Sequence, residues 1–144
     1  MSQYSQKTDK IIDNSETTNP FIYSSFQECL KEYGYNSYSF IIYQNKEIKA
    51  LVHIPQESDD FLHDLVVYSG ITFIKPQPNQ KYVQIVSERH LITCFAAEEV
   101  AKFFKFANFN CSPEIIDMRG WLWHDYQKRK NNYSVSPRYT GIID

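Results

Sequence analysis

The hydrophobic positions in the first third of the chain predict a helix. Between residues 19 and 34 they recur at three- and four-residue spacing, as on one face of an amphipathic helix. Asn19 and Pro20 are typical of a helix start, and Gly34 is a natural stop because glycine readily adopts the left-handed conformation that follows helices. The predicted apolar stripe consists of Ile22, Phe26, Cys29, Leu30 and Tyr33.

The next two apolar runs predict a β-hairpin. Residues 38–43 and 48–54 are rich in β-branched and aromatic residues, and residues 44–47 form the predicted loop between them. Strict alternation assigns the side chains of the second strand to two faces. Pro55 is expected to end this strand, because proline cannot donate to a β-ladder. The predicted core face consists of Ile48, Ala50, Val52 and Ile54, and the opposite face of Lys49, Leu51 and His53.

A similar order of elements follows downstream. Residues 58–70 predict a second helix, with capping residues at the start and a glycine at the end. Residues 71–74 and 82–86 predict a second pair of strands, separated by the turn-forming residues 76–79. Periodicity does not decide whether residues 91–94 form a further strand or the beginning of the next helix.

Residues 95–130 contain two helical runs, separated by a short break at residues 108–111. Apolar residues of the first run cover more than one face, so we expect this helix to be buried or covered by a partner. The second run, 112–130, starts with an N-cap serine, a proline and an acid, and ends in three cations. Gly120 is its weak point, since glycine costs roughly 1 kcal/mol relative to alanine in a helix interior. The predicted stripe consists of Ile115, Met118, Leu122 and Tyr126.

The order of elements predicts the fold class. The order α-ββ-α-ββ-α-α indicates a single α+β domain over residues 19–130, with helices packed on an antiparallel sheet of about four to five strands. Residues 1–18 are polar and nearly free of large apolar side chains, so we expect a disordered arm. Residues 131–144 form a C-terminal tail, whose apolar residues either pack on the domain or dock on a neighbour.

Composition and charge narrow the classes of function only slightly. The formal net charge of −2 gives no general attraction to nucleic acid or anionic lipid, and no apolar run is long enough to span a bilayer. Three cysteines without close pairing and the lack of a secretory pattern favour a reducing, cytoplasmic location. Eleven tyrosines raise the aromatic content to 16%, and tyrosine is enriched at protein interfaces.

Motifs for metal or phosphate binding are weak. An acid and a lysine at Glu47 and Lys49 have the spacing seen in metal-dependent nucleases, but no acidic partner lies just upstream. The four glycines are scattered, which argues against a phosphate-binding loop. One set of residues could supply zinc ligands, although its spacing departs from the close pairs of zinc modules. This set is His90, Cys94, Cys111 and His124.

Two alternative functions have some support in the residues. A small hydrolase of unrecognised type would place a histidine beside a carboxylate in a cleft at the sheet edge. Single-stranded nucleic-acid binding would use the cations and aromatic rings of the C-terminal region for phosphates and bases. The hydrolase candidates are His53 or His63 with Asp59, Asp60 or Asp64.

Our leading prediction is a non-catalytic protein–protein interaction module, namely a small adaptor, inhibitor or accessory subunit. It is based on the absence of catalytic signatures, the tyrosine content and the apolar helical surface. We expect a protein partner, no membrane association, no cofactor, no metal and no catalytic residue, and the oligomeric state stays open. The predicted partner-binding residues are Trp121, Trp123, Tyr126, Lys128, Arg129, Tyr133, Arg138 and Tyr139.

Overall fold

A three-stranded antiparallel sheet lies between two helical layers in the described part of the chain. The computed structural model describes residues 19–34, 36–56, 68–128 and 133–137. Short 3₁₀ turns occupy Pro20–Ile22 and Tyr126–Lys128. The helices are α1 (Ser24–Glu32), α2 (Tyr82–Phe103) and α3 (Arg119–Leu122), and the strands are β1 (Asn36–Gln44), β2 (Glu47–Gln56) and β3 (Gly70–Phe73).

The first helix and the hairpin are found where the sequence predicts them, but the prediction that Pro55 ends the second strand is wrong. Strand β2 continues to Gln56, and Pro55 pairs with Ser37 of β1. Asn19 starts the helical segment, because its side-chain oxygen accepts a hydrogen bond from the Phe21 amide at 3.1 Å. The hairpin turns on Asn45 and Lys46, which both have positive φ, as the tightest hairpin loops require. The strand order is β1-β2-β3.

A β-bulge in the hairpin changes which face one side chain occupies. Ile42 pairs with Ala50, but the next residue of β1 pairs with Ile48, so Lys49 is an extra residue on β2. The Lys49 ammonium lies 3.0 Å from the Glu88 carboxylate of α2. The prediction that Lys49 lies on the face opposite the core is therefore wrong, because one inserted residue reverses the alternation.

The sheet is covered on both faces. One face packs against α2 and α3, and the predicted core residues Ala50, Val52 and Ile54 lie there. On the other face, Leu51 packs against Ile22 of the N-terminal turn. The N-terminal segment is tied to the sheet by Asn19, whose side-chain amide donates to the Thr72 hydroxyl at 3.2 Å. The main core also includes Ile42, Ile71, Ile92, Ala96, Ala97, Val100 and Trp121.

Helix α2 corrects the prediction of a second strand pair. Residues 82–86 form its first turns rather than a strand, and residues 91–94 lie in its middle. Its start is stabilised by the Gln84 side chain, which accepts a hydrogen bond from the Lys81 amide at 3.2 Å. Its buried residues recur at helical spacing on the sheet. The described residues therefore form three strands in place of four to five, and the predicted order α-ββ-α-ββ-α-α is not observed in them.

The second predicted helical run is interrupted. In place of one helix over residues 112–130, the described residues 112–128 contain only the four helical residues of α3 and a 3₁₀ turn. The Asp117 carboxylate accepts a hydrogen bond from the Arg119 amide at 3.1 Å and starts a new turn, which ends at Leu122. Asp125, with a positive φ, separates this helix from the 3₁₀ turn. Gly120 is buried, and a Cβ there would lie 2.7 Å from the Thr93 side chain. Glycine thus permits close contact between α3 and α2.

Several predictions fall outside the described residues. These include the arm at residues 1–18 and most of the predicted helix at 58–70, although Gly70 is seen to begin β3. Residues 133–137 are the described part of the predicted tail. No described helix has the length and apolar character needed to cross a membrane.

Candidate interaction surface

An exposed aromatic surface surrounds α3. Its apolar members protrude into solvent, and Trp123 is 60% exposed. Scattered exposed apolar residues are normal on proteins, but a group of large ones around a tryptophan is typical of an interaction site. We call these exposed residues, which lie within eleven positions of one another in the chain, the Trp123 patch: Ile116, Arg119, Leu122, Trp123 and Tyr126.

The helical geometry of α3 separates its two tryptophans. Residues two apart on a helix point in nearly opposite directions, since each residue turns the chain by about 100°. Trp121 is 1% exposed and packs between Phe109 and Tyr133, with ring centroids 4.9 and 5.1 Å away. Trp123 consequently points outward. The buried tryptophan anchors the element that displays the exposed one.

Ion pairing and ring contacts hold the exposed tryptophan in place. The Arg119 guanidinium donates to both carboxylate oxygens of Asp117, at 2.9 and 2.7 Å. The same guanidinium lies 5.6 Å from the centre of the Trp123 ring, and the His90 ring packs edge-on at 6.2 Å. Hydrogen bonding from Arg119 lowers the pKa of Asp117 to about 2, so the carboxylate is ionised at neutral pH.

The structure divides the predicted partner-binding residues into three groups. Trp123 and Tyr126 are exposed, as a binding role requires. Trp121 and Tyr133 are instead part of the core packing: the Tyr133 hydroxyl donates to the Ala97 carbonyl at 2.9 Å, and burial raises the pKa of Tyr133 to about 12. The burial of Trp121 corrects its predicted surface role, because α3 packs its inner face on α2. Arg129, Arg138, Tyr139 and the side chain of Lys128 lie outside the described residues.

His53, one of the hydrolase candidates, lies in a buried polar network. Its Nε2 atom is 3.2 Å from the Gln27 amide nitrogen, and its Nδ1 atom is 2.8 Å from the Ser39 hydroxyl. The Gln27 nitrogen also donates to the Phe21 carbonyl, and its oxygen accepts from Ser37. Burial lowers the pKa of His53 to about 4, so the ring is neutral at pH 7.

The hydrogen bonds of His53 determine which ring nitrogen carries the proton. The Gln27 amide nitrogen can only donate, so Nε2 must accept and the proton must lie on Nδ1. Nδ1–H then donates to the Ser39 oxygen and cannot remove the serine proton. This Ser–His contact is therefore not arranged for nucleophilic catalysis, which requires the histidine to accept the proton of the nucleophile. His63, Asp59, Asp60 and Asp64 lie outside the described residues.

The candidate zinc residues do not converge. Cys94 lies 3.7 Å from His90 on the next turn of α2, whereas His124 contacts the Tyr133 ring. Burial raises the pKa of Cys94, and it raises that of Cys111 to about 11, so both thiols stay protonated at neutral pH. Across residues 19–34, 36–56, 68–128 and 133–137, no three metal-binding side chains come together.

A charged groove of about 380 Å³ lies between the β2–β3 edge and the start of α2. Lys49 forms ion pairs with Glu47 at 3.1 Å and with Glu88 at 3.0 Å, and Gln80 donates to Glu88 at 2.6 Å. These contacts raise the pKa of Lys49 and lower that of Glu88. Glu47 and Lys49, which have the spacing of the nuclease pattern, thus form an ion pair. The Lys49 ammonium lies between the carboxylates of Glu47 and Glu88.

A larger and more apolar groove, of about 640 Å³, lies on the other flank of α2 beside β1. Tyr43, Leu91 and Phe95 line it and are 53, 68 and 48% exposed. None of these three residues was predicted from the sequence to belong to a site. For Phe95 the sequence contained a signal, because the predicted helix at residues 95–107 is apolar on more than one face and was expected to be buried or covered by a partner.

Comparisons with known proteins provide no relative. No protein-family model, curated protein or solved structure matches this chain. The geometry of the described residues is therefore the basis for any functional assignment.

Proposed function

We propose that the protein is a non-catalytic interaction module, an adaptor, inhibitor or accessory subunit, that binds a partner protein through the Trp123 patch. The observation that supports this most strongly is the exposure of Trp123 next to Arg119, whose guanidinium lies over the ring and is ion-paired with Asp117. Tryptophan, tyrosine and arginine are the residue types most enriched among those that dominate binding energy at interfaces.

The rigidity of the patch supports the same proposal. Binding costs free energy when flexible side chains become ordered, at roughly 0.5–1.5 kcal/mol for each side chain with many rotamers. Arg119 is already held by Asp117 and by the Trp123 ring, and His90 packs against the same ring. A partner would therefore meet an aromatic surface whose geometry exists before binding.

The arrangement of the polar residues favours binding over catalysis. His53 carries its proton on Nδ1, the ring nitrogen that faces the Ser39 hydroxyl. It therefore does not act as a base toward this serine. Cys29, Cys94 and Cys111 are free thiols, which supports a reducing, cytoplasmic site of action. In the charged groove, Lys49 is ion-paired with both Glu47 and Glu88, which favours a structural role for these charges over acid–base catalysis.

Photo-crosslinking in the native host tests the proposal. A photoreactive phenylalanine analogue at Trp123 should crosslink one defined protein, and the same analogue at Tyr33, an exposed tyrosine at the end of α1, should not. The purified partner should then bind a Trp123→Ser variant at least tenfold more weakly, a loss of about 1.4 kcal/mol. Crosslinks that are the same at both positions, crosslinks to nucleic acid, or unchanged affinity of the variant would overturn the proposal.

A further inference from the structure

Strand β1 is an edge strand that lacks the usual protection. The strand order is β1-β2-β3, so one side of β1 has no partner strand among the described residues. Its nine residues, Asn-Ser-Tyr-Ser-Phe-Ile-Ile-Tyr-Gln, include no charge and no proline. Natural proteins protect exposed edges with lysine, proline or other devices, because unpaired backbone groups otherwise pair with another chain.

Helix α2 approaches this edge near both ends of the strand. Near one end the Tyr38 ring contacts Phe103, with centroids 5.5 Å apart, and near the other end Tyr43 and Leu91 line the same groove. A strand of nine residues spans about 30 Å, and a helix of 22 residues about 33 Å. The strand edge and the helix flank thus form one continuous surface.

We propose that a second copy of this chain occupies this surface. The two β1 strands pair antiparallel across a two-fold axis, and the two three-stranded sheets become one continuous sheet of six strands. The α2 helices then lie side by side above the join, with Leu91 and Phe95 of each protomer covered by the other.

The uncharged strand suits pairing with itself. A pairing centred on Phe40, the middle residue of β1, places Tyr38 of each protomer opposite Ile42 of the other. No like charges meet across the axis within this strand, whereas a charged strand would repel its own copy. Backbone hydrogen bonds supply the attraction and the aromatic and β-branched pairs add to it.

The exposed apolar side chains would supply about half of the area that a stable dimer needs. Tyr43, Leu91 and Phe95 are each about half to two-thirds exposed, and together they offer roughly 300 Å² per protomer, since a large aromatic side chain can bury 150–250 Å². The two copies together therefore contribute roughly 600 Å² from these three side chains of each protomer. Stable interfaces bury about 1,200–2,000 Å² in total, and the strand edges and the polar rim of the groove supply the rest.

Equilibrium sedimentation of the full chain over a range of concentrations tests the proposal. The wild-type mass should rise from that of one chain, 17.1 kDa, to that of two as the concentration increases. Phe95→Lys places like charges near the axis and should shift the dissociation constant at least 100-fold, with unchanged circular dichroism. Ile116→Lys, on the Trp123 patch, is the matched control and should dimerise as the wild type does.

Hydrogen exchange distinguishes strand pairing from other modes of association. Amides of residues 36–44 should exchange more slowly at high than at low concentration, and this difference should vanish in Phe95→Lys. Tyr43→Lys, on the strand itself, provides a second variant should Phe95→Lys fail to fold. A wild type that stays monomeric at millimolar concentration, or a dimer whose β1 amides gain no protection, would overturn the proposal.

The dimer and the Trp123 patch can fail separately. His90, which contacts Trp123, and Leu91, which lines the groove, are adjacent on α2 and so point about 100° apart. Trp123→Ser should therefore dimerise normally, and Phe95→Lys should keep the Trp123 crosslink.

Discussion

The buried His53 ring should make the stability of the protein depend on pH in a defined window. In the unfolded chain this histidine has an ordinary pKa of 6.5, whereas burial lowers its pKa in the folded protein to about 4. Between these two values the unfolded state binds a proton that the folded state does not. The contribution of His53 to stability is therefore complete above about pH 6.5 and is lost progressively as the pH falls to about 4.

The size of the effect follows from the two pKa values. Each pKa unit corresponds to about 1.36 kcal/mol, so the free energy of unfolding should fall by about 3 kcal/mol across the window. The slope should approach 1.36 kcal/mol per pH unit near pH 5. This loss is a large fraction of the 5–15 kcal/mol that is typical of a folded domain.

Urea denaturation followed by tryptophan fluorescence at pH values from 4.5 to 8 measures this slope. His53→Gln is the control, because it keeps polar atoms in the network but removes the titrating group. The variant should be less stable at pH 7, and its stability should lose the part of the pH dependence that His53 causes. Asp117 does not interfere in this window, because its pKa is lowered from 3.8 to about 2, mainly by the hydrogen bond from Arg119. The contribution of Asp117 to stability is lost only below about pH 3.8. Equal slopes for wild type and His53→Gln between pH 4.5 and 6.5 would show that His53 does not titrate differently in the folded and unfolded protein.

Three further predictions concern the packing around α3. Trp121→Ala should lower the free energy of unfolding by about 3–5 kcal/mol and Trp123→Ala by less than about 1 kcal/mol, because only the Trp121 ring is buried. Denaturation curves measure both losses, and equal losses would contradict the assigned orientations. Gly120→Ala should destabilise by about 1–3 kcal/mol, since its Cβ would lie 2.7 Å from Thr93, and a neutral result would show that the helices can separate at no cost. Tyr133→Phe should cost about 0.5–1.5 kcal/mol through the lost hydrogen bond to the α2 carbonyl at 2.9 Å; an unchanged melting temperature would argue that this bond contributes nothing.

The partner-binding residues could be predicted only in part, because local sequence patterns do not show which side chains are exposed. Trp123 and Tyr126 were named from composition and are exposed, but Trp121 was named on the same grounds and is buried. Composition alone does not separate two tryptophans on one short helix. Their orientations depend on the contact between Gly120 and Thr93, which are far apart in the chain.

Residues 82–86 show why one strand prediction failed. Four of the five residues in Tyr-Val-Gln-Ile-Val are β-branched or aromatic, so the local preference is that of a strand. In the structure this segment continues into residues whose buried positions follow a helical period on the sheet. Burial of that face outweighs the local preference, which is worth at most about 1 kcal/mol.

Local chemistry determined the elements that close on near neighbours in the chain. The Asn19 cap, the helix before Gly34 and the hairpin around Asn45 and Lys46 each depend on contacts within a few residues, and they were predicted from the sequence. The tertiary structure alone decided which tryptophan is exposed, that α2 is one helix, and that its outer flank lies along the uncharged edge of β1. These features depend on residues that are distant in the chain, and no local pattern records which surfaces will meet.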